Sequence, residues 1–149
     1  MKNLINKIKN KKLKVGVIGL GYVGLEILLS INEKKFTTFG FDKDDLKIEN
    51  LKKNVPTIST IKKQRLSKLK KNFFFNLNNI SNINNCDVIL ICVPTPLNKD
   101  LKPDMSYVKN SVKSIYNHLR PGQLLILEST VYPGATREII FNTIKKNKN

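Results

Sequence analysis

Three glycines, Gly19, Gly21 and Gly24, stand in the stretch VIGLGYVGLE (17–26), between two apolar runs. Their spacing is G-x-G-x-x-G, and Asp42 follows 18 residues after the last of them. On a strand that turns into a helix, this pattern suits the gripping of a pyrophosphate. Gly19 permits the tight turn, Gly21 removes the Cβ that would block a phosphate, and Gly24 lets helix and strand pack closely. The helix N-terminus then offers N–H groups and partial positive charge to the phosphates. Asp42 would accept hydrogen bonds from the ribose hydroxyls and repel a 2′-phosphate, which selects NAD over NADP, although Lys43 softens that repulsion. The glycine pattern alone is weak, because glycines also serve ordinary turns beside a solvated Asp. The strand–turn–helix–strand–acid context favours the dinucleotide.

Other reactive residue types are sparse. Cys86 and Cys92 are the only cysteines, and they sit in or beside an apolar run. They read as small buried residues, with neither a disulfide nor a metal site expected. His118 is the only histidine and reads as a partly exposed residue late in a helix.

The elements that must position these residues alternate along the chain. Leu13–Ile18 reads as a buried strand. Val23, Ile27, Leu28 and Ile31 then recur at helical spacing from Tyr22 to about Lys34. Phe36–Phe41 is a second strand, ending on Asp42. A helix follows from Asp44 to about Lys53, with Leu46 and Leu51 facing inward. Pro56 breaks it, and Ser59 or Thr60 could cap a short basic helix running to Lys71. Phe73–Phe75 is a third strand, Asn76–Asn85 a weakly helical connection, and Asp87–Val93 the clearest buried strand. After a proline-containing loop come a helix from Ser106 to about Leu119, a fifth strand over Gln123–Glu128, and a last helix beyond Gly134. Five strands alternating with helices predict a doubly wound α/β Rossmann fold, a parallel sheet with helices on both faces. Residues 1–149 read as one domain.

The net charge is +16, yet only three of the 27 basic residues are arginines. The lysines are spread through Lys7–Lys14, Lys62–Lys71 and Lys145–Lys148 without interleaved aromatics. This reads as a solvated surface with weak, salt-sensitive attraction to polyanions, and no specific nucleic-acid partner is expected. No apolar run approaches the roughly 18 residues that span a bilayer, and the basic start lacks a secretion signal's apolar core. No membrane partner and a cytoplasmic location are therefore the expectations.

Three further stretches, VPTP (93–96), PDMSYV (103–108) and LESTVYPGAT (127–136), follow GLGYVGL in order. Together they resemble the NAD-binding domain of the UDP-glucose/GDP-mannose dehydrogenase family, over about residues 13–145. CVPTPL and ESTVYPG are most similar to its branch acting on UDP-N-acetylhexosamines. The resemblance implies NAD as cofactor and oxidation of a sugar C6 alcohol to a carboxylate. It implies that Gly19, Leu20, Gly21, Tyr22, Val23 and Gly24 hold the pyrophosphate, and that Asp42 and Lys47 bind the adenosine side. It places Val93, Pro94 and Thr95 near the cofactor and Ser129 and Thr130 near the nicotinamide, with Thr130 in the catalytic role of helping to position a water. Tyr107 reads as a packing residue. Glu128 is evenly balanced between a surface charge and a site residue.

Two departures from the family pattern matter. Glu26 stands where many members have proline, and a carboxylate near the pyrophosphate would weaken NAD slightly. The chain also stops at Asn149, before the region that in this family supplies a nucleophilic cysteine, and neither Cys86 nor Cys92 can be assigned that role. It therefore resembles an amino-terminal part of a dehydrogenase, inactive alone. It would meet a UDP-sugar only with a carboxyl-terminal half, supplied by a complementing chain, and homo-oligomers could form across an apolar fifth strand left at the sheet edge. The alternatives are a non-catalytic remnant that binds a partner, and a basic polyanion-binding module.

Overall fold

The computed structural model describes residues 2–69, 73–77 and 80–146. Five strands form one parallel sheet: β1 (Lys14–Ile18), β2 (Thr37–Asp42), β3 (Phe74–Asn76), β4 (Val88–Ile91) and β5 (Leu124–Leu127). Their spatial order is β3-β2-β1-β4-β5. The chain moves outward from β1 in one direction, then returns to β4 on β1's other side. That reversal falls between β1, paired Val15 to Thr38 with β2, and β4, paired Val88 to Val15. At such a reversal the connections after two neighbouring strands lead to opposite faces, and a crevice opens beyond their carboxyl ends.

Alternation of side chains builds two cores. Val15, Val17, Val88 and Leu90 face one side, against Leu25, Leu28 and Leu29 of α2 (Tyr22–Glu33) and Ile48 and Leu51 of α3 (Asp45–Lys52). Ile18, Phe39, Phe41, Ile89 and Ile91 face the other, against Val112 and Ile115 of α5 (Ser106–Ile115) and Ile140. Burial on both faces accounts for the unbroken apolar run of β4. The doubly wound α/β fold expected from the sequence is the fold observed.

Several local expectations require correction. In α3 Leu46 is 68% exposed and Ile48 is buried in its place. Positions 48 and 51 share a face at i, i+3, and Leu46 sits in the first turn beside the Asp44 cap, whose carboxylate accepts from the Lys47 N–H. The basic helix α4 covers only Lys63–Leu66 and starts after Lys62, so neither Ser59 nor Thr60 caps it. The end expected for that helix, at Lys71, lies outside the described residues. The fifth helix stops at Ile115, and a 3-10 turn, Tyr116–His118, carries the half-buried histidine. After Gly134 the chain runs as a π-helical segment, Thr136–Phe141, continued by α6 (Asn142–Lys146).

The first helix, α1 (Lys2–Lys9), has no counterpart in the sequence reading. It is pinned beneath the sheet by Asp87, which is 2% exposed. The Asp87 carboxylate accepts from Lys7 Nζ at 2.6 Å, Arg120 Nη2 at 2.9 Å and the Lys14 N–H at 3.1 Å. Burial alone would raise this carboxyl's pKa, but the donors from Lys7, Lys14 and Arg120 outweigh it and hold it below its ordinary value. A depressed folded pKa means stability that is complete above the unfolded value and is lost as pH falls through the folded one. Asp87→Asn is therefore expected to destabilise the chain by about 1–2 kcal/mol near neutral pH, a figure reduced because Lys7 and Arg120 are partly solvated. Melting curves should show the gap between the two proteins hold from about pH 8 to 5 and shrink below about pH 4.

Candidate functional site

The carboxyl ends of β1, β2, β4 and β5 open on a cavity of about 850 Å3, within the usual range for small-molecule sites. Its floor is the glycine loop. Gly19 has φ +89°, and a Cβ there would lie 2.8 Å from the Cys92 carbonyl oxygen. A Cβ on Gly24 would run into the carbonyl oxygen of Gly19. Gly21, at the N-cap of α2, has no heavy atom within 4 Å of the place its Cβ would take. Two of the three glycines are thus required by the fold itself. The third keeps a space clear that the protein does not fill.

Asp42 sits at the end of β2 and is 6% exposed. Its carboxylate accepts from the Leu20 N–H at 2.8 Å, the Asp44 N–H at 3.1 Å and Lys47 Nζ at 2.9 Å. It therefore ties the glycine loop to β2. An ionised carboxylate has about four acceptor positions, so one remains for a ligand.

Two loops form the opposite wall and are laced together. Thr95 Oγ1 donates to the Thr130 carbonyl at 2.7 Å, and Ser129 Oγ donates to the Val93 carbonyl at 2.6 Å. These hydroxyls spend their protons on backbone and retain only acceptor capacity towards the cavity. Thr130 itself is exposed.

Of the residues singled out from the sequence, Gly19, Gly21, Tyr22, Val23, Asp42, Lys47, Val93, Pro94, Thr95, Ser129 and Thr130 all line the cavity. Leu20 and Gly24 do not line it. Leu20 is fully buried and reaches the site through its N–H, and Gly24 is buried in the first turn of α2. Glu26 also does not line it. Its carboxylate pairs with Arg65 at 2.8 Å, and Arg65 pairs in turn with Glu33, so the charge expected beside the pyrophosphate is spent fastening α4 to α2.

Lys43, expected to soften the repulsion of a 2′-phosphate, lines the cavity too, and Leu77, Ser106, Asn110, Ser111 and Ser114 line it without having been singled out. Tyr107 and Glu128 line it as well. Tyr107, read as a packing residue, is half-buried there, and Glu128 is exposed at its rim. The repeat Ser106, Asn110, Ser114 at four-residue spacing was the available signal, a polar stripe on α5 where a second apolar stripe would face a core.

Cys92 lines the cavity and Cys86 lies in the core; both are free thiols. Burial pushes each up to about 12, aided at Cys92 by the Glu128 carboxylate and at Cys86 by Asp87. Both stay protonated near neutral pH and are poor nucleophiles. Among the described residues there is no cluster of His, Cys, Asp or Glu that could hold a metal, and no helix long and apolar enough to cross a membrane.

A dinucleotide fits what is present. The loop is open at Gly21, the acid closes β2, and α2 presents its N-terminus between them. Comparison with known proteins agrees. Residues 13–149 match the model of the UDP-glucose/GDP-mannose dehydrogenase family, NAD binding domain. The UDP-N-acetyl-D-glucosamine 6-dehydrogenase of Pseudomonas aeruginosa is 35% identical over 137 residues, covering 91% of this chain and 32% of the relative. The UDP-N-acetyl-D-mannosamine dehydrogenase of Methanococcus maripaludis is 32% identical, covering 89% of this chain and 32% of the relative. The solved UDP-D-ManNAc dehydrogenase of Pyrococcus horikoshii superposes with a TM-score of 0.77 at 28% identity, covering 89% of this chain and 33% of that one. The chain spans about a third of the length of the curated relatives it matches.

Proposed function

The chain belongs to the UDP-glucose/GDP-mannose dehydrogenase family, and on that premise we propose that it is the NAD-holding portion of a UDP-N-acetylhexosamine 6-dehydrogenase. The observation that carries this reading is the space kept clear above Gly21, beside a β2 acid with one acceptor position left. Gly19, Gly21, Tyr22 and Val23 hold the pyrophosphate on the N-terminus of α2. Asp42 takes a ribose hydroxyl, and Lys47, already on its carboxylate at 2.9 Å, keeps that carboxylate oriented. Bound there, NAD supplies the hydride acceptor for oxidation at the sugar C6 carbon.

The two laced loops then set the nicotinamide end. Val93, Pro94 and Thr95 form one side of it, and Ser129 with Thr130 the other. The Thr130 hydroxyl is the one of these three left clear of the lacing bonds, which suits it to hold a water by hydrogen bonding. The protonated Cys92 thiol does not serve as nucleophile, so the covalent chemistry rests with residues from the remaining two-thirds of the relatives' length. A complementing chain or a second copy would meet this portion along the free side of β5, which pairs only with β4 among the described residues.

The test is turnover. The 149 residues alone, given NAD and a UDP-N-acetylhexosamine, are expected to release no NADH. The same residues joined to the carboxyl-terminal two-thirds of the Pseudomonas aeruginosa relative are expected to release it. A chimera that folds, binds UDP-sugar and produces no NADH would contradict the proposal.

A further inference from the structure

At the Asp42 end of the cavity one contact has no part in the reading above. The Lys43 ammonium lies 4.9 Å from the centroid of the Tyr107 ring, and both residues line the cavity. They come from facing walls, Lys43 from the end of β2 and Tyr107 from the first turn of α5. Among the described residues neither side chain has a hydrogen bond or an ion pair. The wall beyond Tyr107 is uncharged, lined by Asn110, Ser111 and Ser114, and the Ser111 and Ser114 hydroxyls donate back to the carbonyls of Tyr107 and Ser111 at 2.8 and 2.9 Å. Beside the acid proposed to take the ribose, whose charge Lys47 already pairs, the protein thus offers an aromatic face, open space and one further ammonium, that of Lys43. A flat, neutral, aromatic group attached to that ribose matches this surface.

We propose that Tyr107 is the platform on which the adenine base stacks, and that the Lys43 ammonium occupies the ring until the base displaces it. This rests on the NAD-binding reading. Base–aromatic stacking is worth roughly tenfold in affinity or more. An exposed ammonium over a ring is worth about two- to fivefold, so the base wins the exchange. Freed from the ring, the exposed Lys43 ammonium returns to solvent. Recognition by stacking is tolerant of the base's edge, so selectivity at this end falls to Asp42 and the ribose.

The test is calorimetric titration of the 149-residue chain with NADH and with reduced nicotinamide mononucleotide, which lacks the adenosine half. It is run at salt high enough to suppress general attraction to a +16 protein. Tyr107→Phe should bind NADH within about twofold of wild type, and Tyr107→Leu and Tyr107→Ala about tenfold more weakly. Leucine keeps the apolar volume in case alanine perturbs α5. No variant should change the affinity for the mononucleotide. Lys43→Met should tighten NADH by about two- to fivefold, and that gain should vanish in combination with Tyr107→Leu. The proposal is overturned if both Tyr107 variants bind NADH like wild type, if they lose the mononucleotide equally, or if Lys43→Met weakens NADH as they do. Wild type binding NADH with Tyr107→Leu unchanged sinks the platform alone. Wild type failing to bind NADH sinks the NAD reading with it.

Discussion

Gly24→Ala is expected to lower the melting temperature by about 6–12 °C, while Gly21→Ala leaves it within a few degrees and instead weakens NADH about tenfold or more. The two substitutions add the same methyl group three residues apart. At Gly24 the methyl meets the Gly19 carbonyl oxygen and approaches Cys92 Cβ to 3.0 Å. The obstacle is the Gly19 backbone on one side and on the other a Cβ that no rotamer change moves, in a turn already fixed by the Gly19 N–H donating to the Phe41 carbonyl at 2.8 Å. Overpacking that cannot relax by a rotamer change costs about 3 kcal/mol or more. At Gly21 the backbone is extended, with φ −83° and ψ −164°, a conformation alanine adopts freely, and no atom lies within 4 Å of the new methyl. The cost there falls on the ligand. Thermal melting with calorimetry separates the two, and undiminished NADH binding by Gly21→Ala would show that the open space there has no bearing on binding.

Asp42→Ala is expected to weaken NADH by about 30- to 150-fold and to abolish discrimination against NADPH. A charge-assisted hydrogen bond from a ribose hydroxyl to a buried carboxylate is worth about 2–3 kcal/mol. Its removal also deletes the repulsion of a 2′-phosphate and leaves Lys43 and Lys47 facing that position. The same carboxylate fastens the Leu20 N–H, so the variant should also melt earlier. Asp42→Asn separates the two effects, since its amide oxygen can still accept from one N–H while its charge is gone. Competition between NADH and NADPH on the three proteins measures the outcome. A wild type indifferent to the 2′-phosphate would contradict the role given to Asp42.

The glycine loop was readable because backbone geometry and close approach restrict those positions, and neither depends on distant residues. The strands were readable for a similar reason: burial on both faces demands unbroken apolar runs, as in Val88–Ile91. The α5 wall of the cavity was not. Ser106, Asn110 and Ser114 carry no chemical signal one by one, and only the packing of α5 beside β4 brings them to the cavity. The first helix escaped notice because Leu4, Ile5 and Ile8 are mixed with lysine and asparagine. What holds that helix is an ion pair between Lys7 and Asp87, 80 positions apart. Leu46 misled because in an eight-residue helix one apolar residue can stand in the first turn facing solvent. Glu26 misled because its partner, Arg65, lies 39 positions away.

The central claim is that these residues form a working NAD site, and calorimetric titration with NADH and NADPH at high salt tests it most directly. The account predicts saturable, one-to-one binding of NADH, weaker binding of NADPH, and loss of the preference in Asp42→Ala. Absence of binding, or equal and salt-sensitive binding of both nucleotides by the intact chain, would contradict it.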